Sequence, residues 1–453
     1  MFIFIHHSDL RIADNNTINY LIQNKYPFIP VFIGTPDQLN DNPYKSSNSI
    51  RFMVESLQEL TSSYNQCGLK LQIYYGETIE VIDELIKLNP ITGVAYNMDY
   101  SPYARDRDNK LEKYCKSQNI QHICMEDKLL NSIKSILTGK NTPYSKFTPY
   151  FNNASKTPVA KPVELKLKVS KAPTLKKSKY DSSLQYILDK STDTSNDVSI
   201  IGGRSHALKT LQNIDKFHKR DIPSIQTTRL SAYLKFGCIS TREAYYAFNN
   251  DDLIKQLYWR DFYNMILYYY GSFDAPVSIT NPKFNNIPWD HNKSNLQRWK
   301  DGMTGCPIVD AGMREMNATG FMHNRVRMIV ASFLIFYLKL DWREGMKYFS
   351  QKLVDADWAN NLGNWQWTAG VEKWSNDYYK VFSMESQIQR FDPECKYIKM
   401  WIPELNAVPT KDIYNWDTNY RMHTINYPKP IITNNKAVRK SGIDMYSAIK
   451  SKS

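Results

Sequence analysis

Apolar residues in the first third of the chain come in short, tight runs separated by longer amphipathic stretches. FIFI at 2–5, FIPVFI at 28–33, LKLQIYY at 69–75, GVAY at 93–96 and QHIC at 121–124 are rich in β-branched and aromatic residues and predict strands. Between them, residues 50–64, 77–88 and 103–117 repeat apolar positions at helical spacing. Strands that alternate with helices predict an α/β domain over residues 1–135, built as a doubly wound, Rossmann-like parallel sheet. The turn after the first run, HHSDLR, has no glycine, so the dinucleotide fingerprint is absent and no nicotinamide site is assigned here.

Periodicity then fades. Residues 141–180 hold nine Lys and five Pro against one Glu, which reads as an extended basic linker, placed at 136–200. A lysine run of this kind is a solvated face before it is a DNA contact. From residue 201 apolar positions return at helical spacing in nearly every segment, and all ten Trp lie at or beyond 259. An all-α domain with an aromatic-rich interior is expected over 201–430, followed by a fraying tail at 431–453.

Length and charge agree with this division. A chain of 453 residues exceeds what one core organises, and 58 Lys and Arg against 45 Asp and Glu give a net charge of +13, which favours a polyanionic partner. The Cys at 67, 115, 124, 238, 306 and 395 have no paired short spacing, so neither a metal site nor a disulfide framework is expected. The apolar run at 329–338 is too short to span a bilayer, and MFIFIHHSDLR lacks a basic leader. A soluble intracellular protein without membrane contact is expected, in cytoplasm or nucleus.

The stretch VDADWANNLGNWQW at 354–367 does not look like ordinary packing. It sets Asp355 and Asp357, three Asn and three Trp where a core would take aliphatics, so something polar must be held there. Upstream, GFMHNRVRM at 320–328 reads as a helix that places Asn324, Arg327 and Met328 on one face, with Arg327 a candidate partner for Asp355. TTRLSAYLKFGCIS at 227–240 leads with hydroxyls into a helix and suits a phosphate, although Thr227, Thr228 and Ser231 taken alone are more often caps than ligands.

Together with WRDFY at 259–263 and PIVDAGMRE at 307–315, these strings resemble the flavin-binding domain of the photolyase and cryptochrome family, with the class I cyclobutane pyrimidine dimer photolyases as the nearest pattern. A weaker likeness covers residues 1–135, through DLR at 9–11 and PY...RD at 102–108; residues alone allow Arg11 and Asp108 simply to pair at a domain edge. The resemblance implies light-driven repair of DNA carrying a pyrimidine dimer, by a monomeric carbon–carbon lyase. It implies FAD held by Thr227, Thr228, Arg229, Leu230, Ser231, Arg260, Asn324, Arg327, Asp355, Asp357 and Asn361, with Asn361 at the flavin's reactive edge. A second antenna chromophore, a folate or a deazaflavin, is also implied, with neither favoured.

For the lesion, Trp259 and Trp367 match the indoles that wedge a flipped dimer, while Gln256, Asn324, Arg325 and Met328 complete the contacts. Trp365, Trp342 and Trp289 match an electron relay; without the motifs around them, three Trp would be read as core. Gln256 departs from the dimer photolyases, which carry Glu there, and follows the six-four enzymes instead. Those enzymes have histidines where this chain has Asn324 and Met328. A six-four photolyase and a blue-light cryptochrome without repair activity are the rival readings.

Overall fold

The computed structural model describes residues 1–40, 42–163, 166–170, 173–191, 199–217, 221–271, 284, 286–372 and 381–450. Five strands, β1 Phe2–His6, β2 Phe28–Gly34, β3 Gln72–Tyr75, β4 Gly93–Asn97 and β5 Gln121–Met125, form one parallel sheet in the order β3-β2-β1-β4-β5. β1, β2 and β4 are buried along their whole length, which is why they read as continuous apolar runs. Ile3 and Ile5 face a core shared with Val81, Leu85 and Leu111, and Phe2 and Phe4 face the other core. Helices α1 Asn16–Gln23, α2 Ser47–Gln66, α3 Thr78–Leu88 and α4 Pro102–Ser117 alternate with these strands, so the sheet is doubly wound.

The third strand is shorter than its apolar run. Gly68 turns with φ 80°, and Leu69 N–H closes the end of α2 on Tyr64 O at 3.0 Å, so pairing begins only at Gln72. The edge of β3 is covered by the end of the basic segment, through Tyr75 N–H to Tyr180 O at 3.0 Å and Ser182 N–H to Ile73 O at 2.9 Å. That segment is not uniformly extended. It carries α5 Phe147–Ala154, whose Phe147, Tyr150 and Ala154 are buried; the surrounding Lys and Pro hide its helical spacing in the sequence.

The helical part includes α6 Leu230–Phe236, α7 Thr241–Ala247, α8 Asp251–Tyr270, α9 Pro307–Thr319, α10 Asn324–Ser332, α11 Trp342–Lys352, α12 Trp358–Ala369 and α13 Asn435–Lys450, with further short helices, Arg204–Gln212, Lys293–Lys300 and Met384–Phe391 among them. Helix α8 is capped by Asn250, carries Asp251 and Asp252 in its first turn, and is buried almost all round from Leu257 to Leu267, as befits a central helix. The stretch 320–328 is not one helix. Gly320 ends α9 at φ 68°, and α10 starts afresh at Asn324 because the His323 side chain accepts Arg325 N–H. The tail does not simply fray either: α13 docks on the π-helical turn Phe333–Tyr337, so closely that a Cβ on Gly442 would lie 2.2 Å from Phe336 O.

The two parts meet through buried ions. Arg11 pairs with Asp127 and donates to Gly237 O at 3.1 Å, while Arg242 reaches Asp14 at 2.9 Å and Asp127 at 2.8 Å. The expected Arg11–Asp108 pair is therefore absent: Asp108 is held by its own neighbour Arg107 at 2.7 Å, and Asp127 offers Arg11 a nearer acceptor. No helix among the described residues is long and apolar enough to cross a membrane.

Candidate functional site

A cavity of about 540 Å³ opens between α6, α8, α10 and α12. Its deep wall is polar. Arg327 meets Asp355 at 2.9 Å, and Ser231 Oγ donates to the same carboxylate oxygen at 2.5 Å. Burial works hardest against the Asp355 charge, yet Arg327, Ser231 and Lys235 hold it below the usual carboxylate range. The other oxygen, Oδ1, is buried with no partner among the described residues. Asp357 caps α12 by accepting Asn360 N–H at 3.0 Å, and it faces Lys128 at 3.5 Å. Burial opposes its charge too, but Lys128, Arg260 and Asn360 keep it ionised below the normal range.

Arg260 lines the cavity while donating to Lys128 O at 2.8 Å, Thr241 Oγ1 at 3.2 Å and Leu234 O at 3.2 Å. Lys235, one turn beyond Ser231, donates to Ser49 Oγ at 2.8 Å and Val354 O at 2.9 Å; burial pulls it down to about 8, against Asp355 and Asp357. At the start of α6, Thr227, Thr228, Arg229, Leu230 and Ser231 form one edge of the cavity. Thr228 Oγ1 accepts Leu230 N–H at 3.4 Å, and Arg229 adopts φ 51°, a left-handed conformation that is costly for a residue with a Cβ. Six cationic side chains and three carboxylates line the cavity, so its field favours an anionic occupant.

Behind Asn324, Arg327 and Asp355 a smaller cavity of about 70 Å³ continues the same space towards Asn361 and Trp365. Asn361 donates through its NH2 to Met346 O at 3.0 Å and Ser350 Oγ at 2.9 Å, so its carbonyl oxygen is the atom left for the cavity. Trp365 is buried against α11, where a Cβ on Gly345 would lie 2.1 Å from its ring. Trp342 starts that same helix one turn earlier and is also buried. Trp289 is half-buried and is brought to the same end of α11 by Asp290 N–H bonding Lys339 O at 2.8 Å.

The mouth is aromatic. Trp259 and Trp367 line it with Gln256, Asn324, Arg325 and Met328. Gln256 turns its NH2 back to Asp252 O of its own helix at 3.2 Å. Arg325 lies over the Phe391 ring at 4.3 Å and reaches the half-exposed Asp221 at 3.2 Å. Thus the residues singled out in the sequence for cofactor and substrate line one continuous space, and Trp365, Trp342 and Trp289, the indoles expected to relay electrons, lie around the N-terminal end of α11.

Several residues around the cavity carry no signal in the sequence. Lys128 and Phe147 come from loops and segments far from any motif, and no local signal marks them. Lys235 lies within the 227–240 stretch, where nothing local distinguishes it from a solvent-facing lysine. Trp299, fully buried, stands edge-on to Trp365 at 6.3 Å and donates to Val330 O at 3.1 Å.

Comparison with known proteins bears on this geometry. Residues 2–166 match the family model described as DNA photolyase, and residues 253–448 match the FAD binding domain of DNA photolyase. The chain is 32% identical to the deoxyribodipyrimidine photo-lyase of Synechococcus sp., covering 96% of this chain and 94% of that one. It is 29% identical to the Escherichia coli protein of the same name, with 95% of each covered. Among solved structures, an archaeal photolyase from Sulfolobus tokodaii with two FAD molecules superposes at a TM-score of 0.87, with 35% identity and 99% of each chain covered. A class III photolyase from Agrobacterium tumefaciens gives 0.88 at 28% identity, covering 99% and 98%.

Proposed function

The chain belongs to the DNA photolyase family, and on that premise we propose that it splits cyclobutane pyrimidine dimers in DNA with light and a bound FAD. The observation that carries this reading is a single cavity whose deep wall is a charged cradle and whose mouth is walled by two indoles. The cradle fits a dinucleotide: Asp355 Oδ1 is buried and unsatisfied, hydroxyls and Arg229 gather at one edge, and cations outnumber carboxylates. Reduced FAD, when bound, supplies the electron that light drives onto the dimer.

The chain's own residues do the rest. Thr227, Thr228, Arg229, Leu230 and Ser231 hold the diphosphate, and Asp355, fixed by Arg327, orients the ring system beside Arg260, Asn324 and Asp357. Asn361 presents a neutral carbonyl at the inner end, where a carboxylate would oppose added negative charge. Trp365, Trp342 and Trp289 pass electrons inward from the surface. Trp259 and Trp367 take the flat faces of the extruded dimer, Asn324, Met328 and Gln256 meet its edges, and Arg325 exchanges Asp221 for a DNA phosphate.

We place a second, light-harvesting chromophore, where one is bound, at the switch point of the sheet, the C-terminal ends of β1 and β4. Strand order reverses there, and His7 keeps a buried Nδ1 without a partner among the described residues. The Sulfolobus tokodaii relative carries a second FAD, which adds a flavin to the folate and deazaflavin already considered.

The deciding experiment is illumination of the flavin-loaded protein with oligonucleotides carrying either a thymine dimer or a six-four lesion, with lesion content read by chromatography. Light-dependent loss of the dimer alone is expected. Loss of the six-four lesion alone overturns the substrate, and loss of neither leaves a blue-light receptor.

A further inference from the structure

We infer that Phe147, on the helix inside the basic connecting segment, is a positioning residue for lesion capture: it backs Trp259 and holds the indole in the attitude in which a flat lesion meets it. The ring centroids of Phe147 and Trp259 are 3.6 Å apart and their planes differ by 7°, a face-to-face contact. Phe151, one turn along α5, continues the stack behind Phe147 at 5.7 Å and 19°. Phe262 sets its edge against both Phe147, at 5.8 Å and 82°, and Trp259, at 5.9 Å and 87°. Tyr263 also packs against the indole, at 5.6 Å and 29°, so three rings hold Trp259 while it still lines the cavity. Phe147 is itself only 7% exposed, so it has no room to swing away.

The consequence is energetic. An indole already immobilised loses little side-chain freedom when a ligand stacks on it, whereas an unsupported one must be ordered at the moment of binding. The buttress comes from residues more than a hundred positions upstream. Helix α5 therefore does more than bridge the two parts of the chain: it sets how well the mouth receives a lesion.

This inference rests on the proposed reading that Trp259 touches the lesion, and the test separates the two. Phe147→Leu keeps an apolar side chain of similar volume but removes the flat face, Phe147→Tyr restores a ring, and Trp259→Phe probes the stacking surface itself. For each flavin-loaded variant, flavin content, affinity for dimer-containing and undamaged oligonucleotides, and dimer splitting per photon at saturating lesion are measured. Phe147→Leu should weaken lesion binding by up to about tenfold, the upper end of the cost of ordering one side chain on binding. Flavin content, undamaged-DNA affinity and yield at saturation should stay at parental values, and Phe147→Tyr should recover to within about twofold. Parental lesion affinity in Phe147→Leu, an equal loss for undamaged DNA, or failure of the Tyr variant to recover overturns the inference while leaving the proposed function standing. Parental lesion affinity in Trp259→Phe instead removes Trp259 from the lesion contacts, and the buttress role falls with it.

Discussion

The deep wall and the mouth of the cavity are built on opposite plans. At the deep wall nearly every charge is spoken for: Asp355 by Arg327 and Ser231, Asp357 by Lys128 and Asn360, and Arg260 by two backbone carbonyls and a hydroxyl. At the mouth the side chains are flat or sparsely tied among the described residues, with Gln256 bonded to its own helix and Arg325 to a half-exposed Asp221. A permanently held cofactor rewards preorganised polar partners, because they need no rearrangement to bind it. An exchanged substrate is better met by stacking surfaces and a cation that can change partners.

Breaking the deep wall should have the largest effect. Arg327→Ala leaves Asp355 buried without its guanidinium, a loss on the order of 3–5 kcal/mol for a buried pair. The purified variant is expected to lack flavin absorbance, whereas Arg325→Ala at the mouth should keep it. If both retain flavin equally, the contrast between the two regions is false. Trp365→Phe cuts less deeply. It fills the same site with another apolar ring and should retain FAD, yet light should no longer reduce oxidised flavin, while chemically pre-reduced enzyme still repairs. Photoreduction at the parental rate would take Trp365 out of the relay.

At the mouth, Arg325→Ala should weaken binding to damaged DNA and lower the slope of log affinity against log salt by about one, because one fewer phosphate is neutralised and one fewer counterion released. An unchanged slope would mean that Arg325 serves Asp221 and Phe391 alone. A smaller effect sharpens the contrast between two buried carboxylates. Burial lifts Asp261, behind the mouth, to about 7, with Arg260 and the Leu130 and Asn131 amides opposing, whereas Asp355 is held low. A carboxyl raised in the folded state contributes stability that is full below about pH 4 and is lost as pH rises through about 7. Asp261→Asn should therefore flatten the fall in unfolding free energy between about pH 4 and 7. Parallel pH curves for parent and variant would assign the decline to another group.

The smallest change is at Gln256. Replacing it with Glu should alter flavin content and lesion affinity by about 1 kcal/mol or less, the scale of one hydrogen bond. Repair per photon should rise and acquire a pH dependence, since a protonated carboxyl donates to developing negative charge more strongly than an amide. Yields no higher than the parent's at every pH would mean that the mouth is tuned around Gln256.

Much of this molecule is legible in the chain itself. The buried strands announce themselves as apolar runs because a parallel sheet covered on both faces needs no polar alternation, and the order of strands and helices implies double winding. The motif stretches at 227–231, 256–260, 324–328 and 355–367 carry the residues that line the cavity, because each is a short local unit whose spacing sets which side chains share a face. Tertiary structure alone decided the rest. Arg11 chose Asp127 over Asp108, Lys128 and Lys235 joined the deep wall, Phe147 came to rest on Trp259, and the tail helix found the turn at Phe333–Tyr337. Each of these pairings joins residues about a hundred or more positions apart. Periodicity reports what neighbours along the chain do; which distant partner a buried charge or ring meets depends on the path of the whole backbone and on which competing acceptor or surface that path brings nearest.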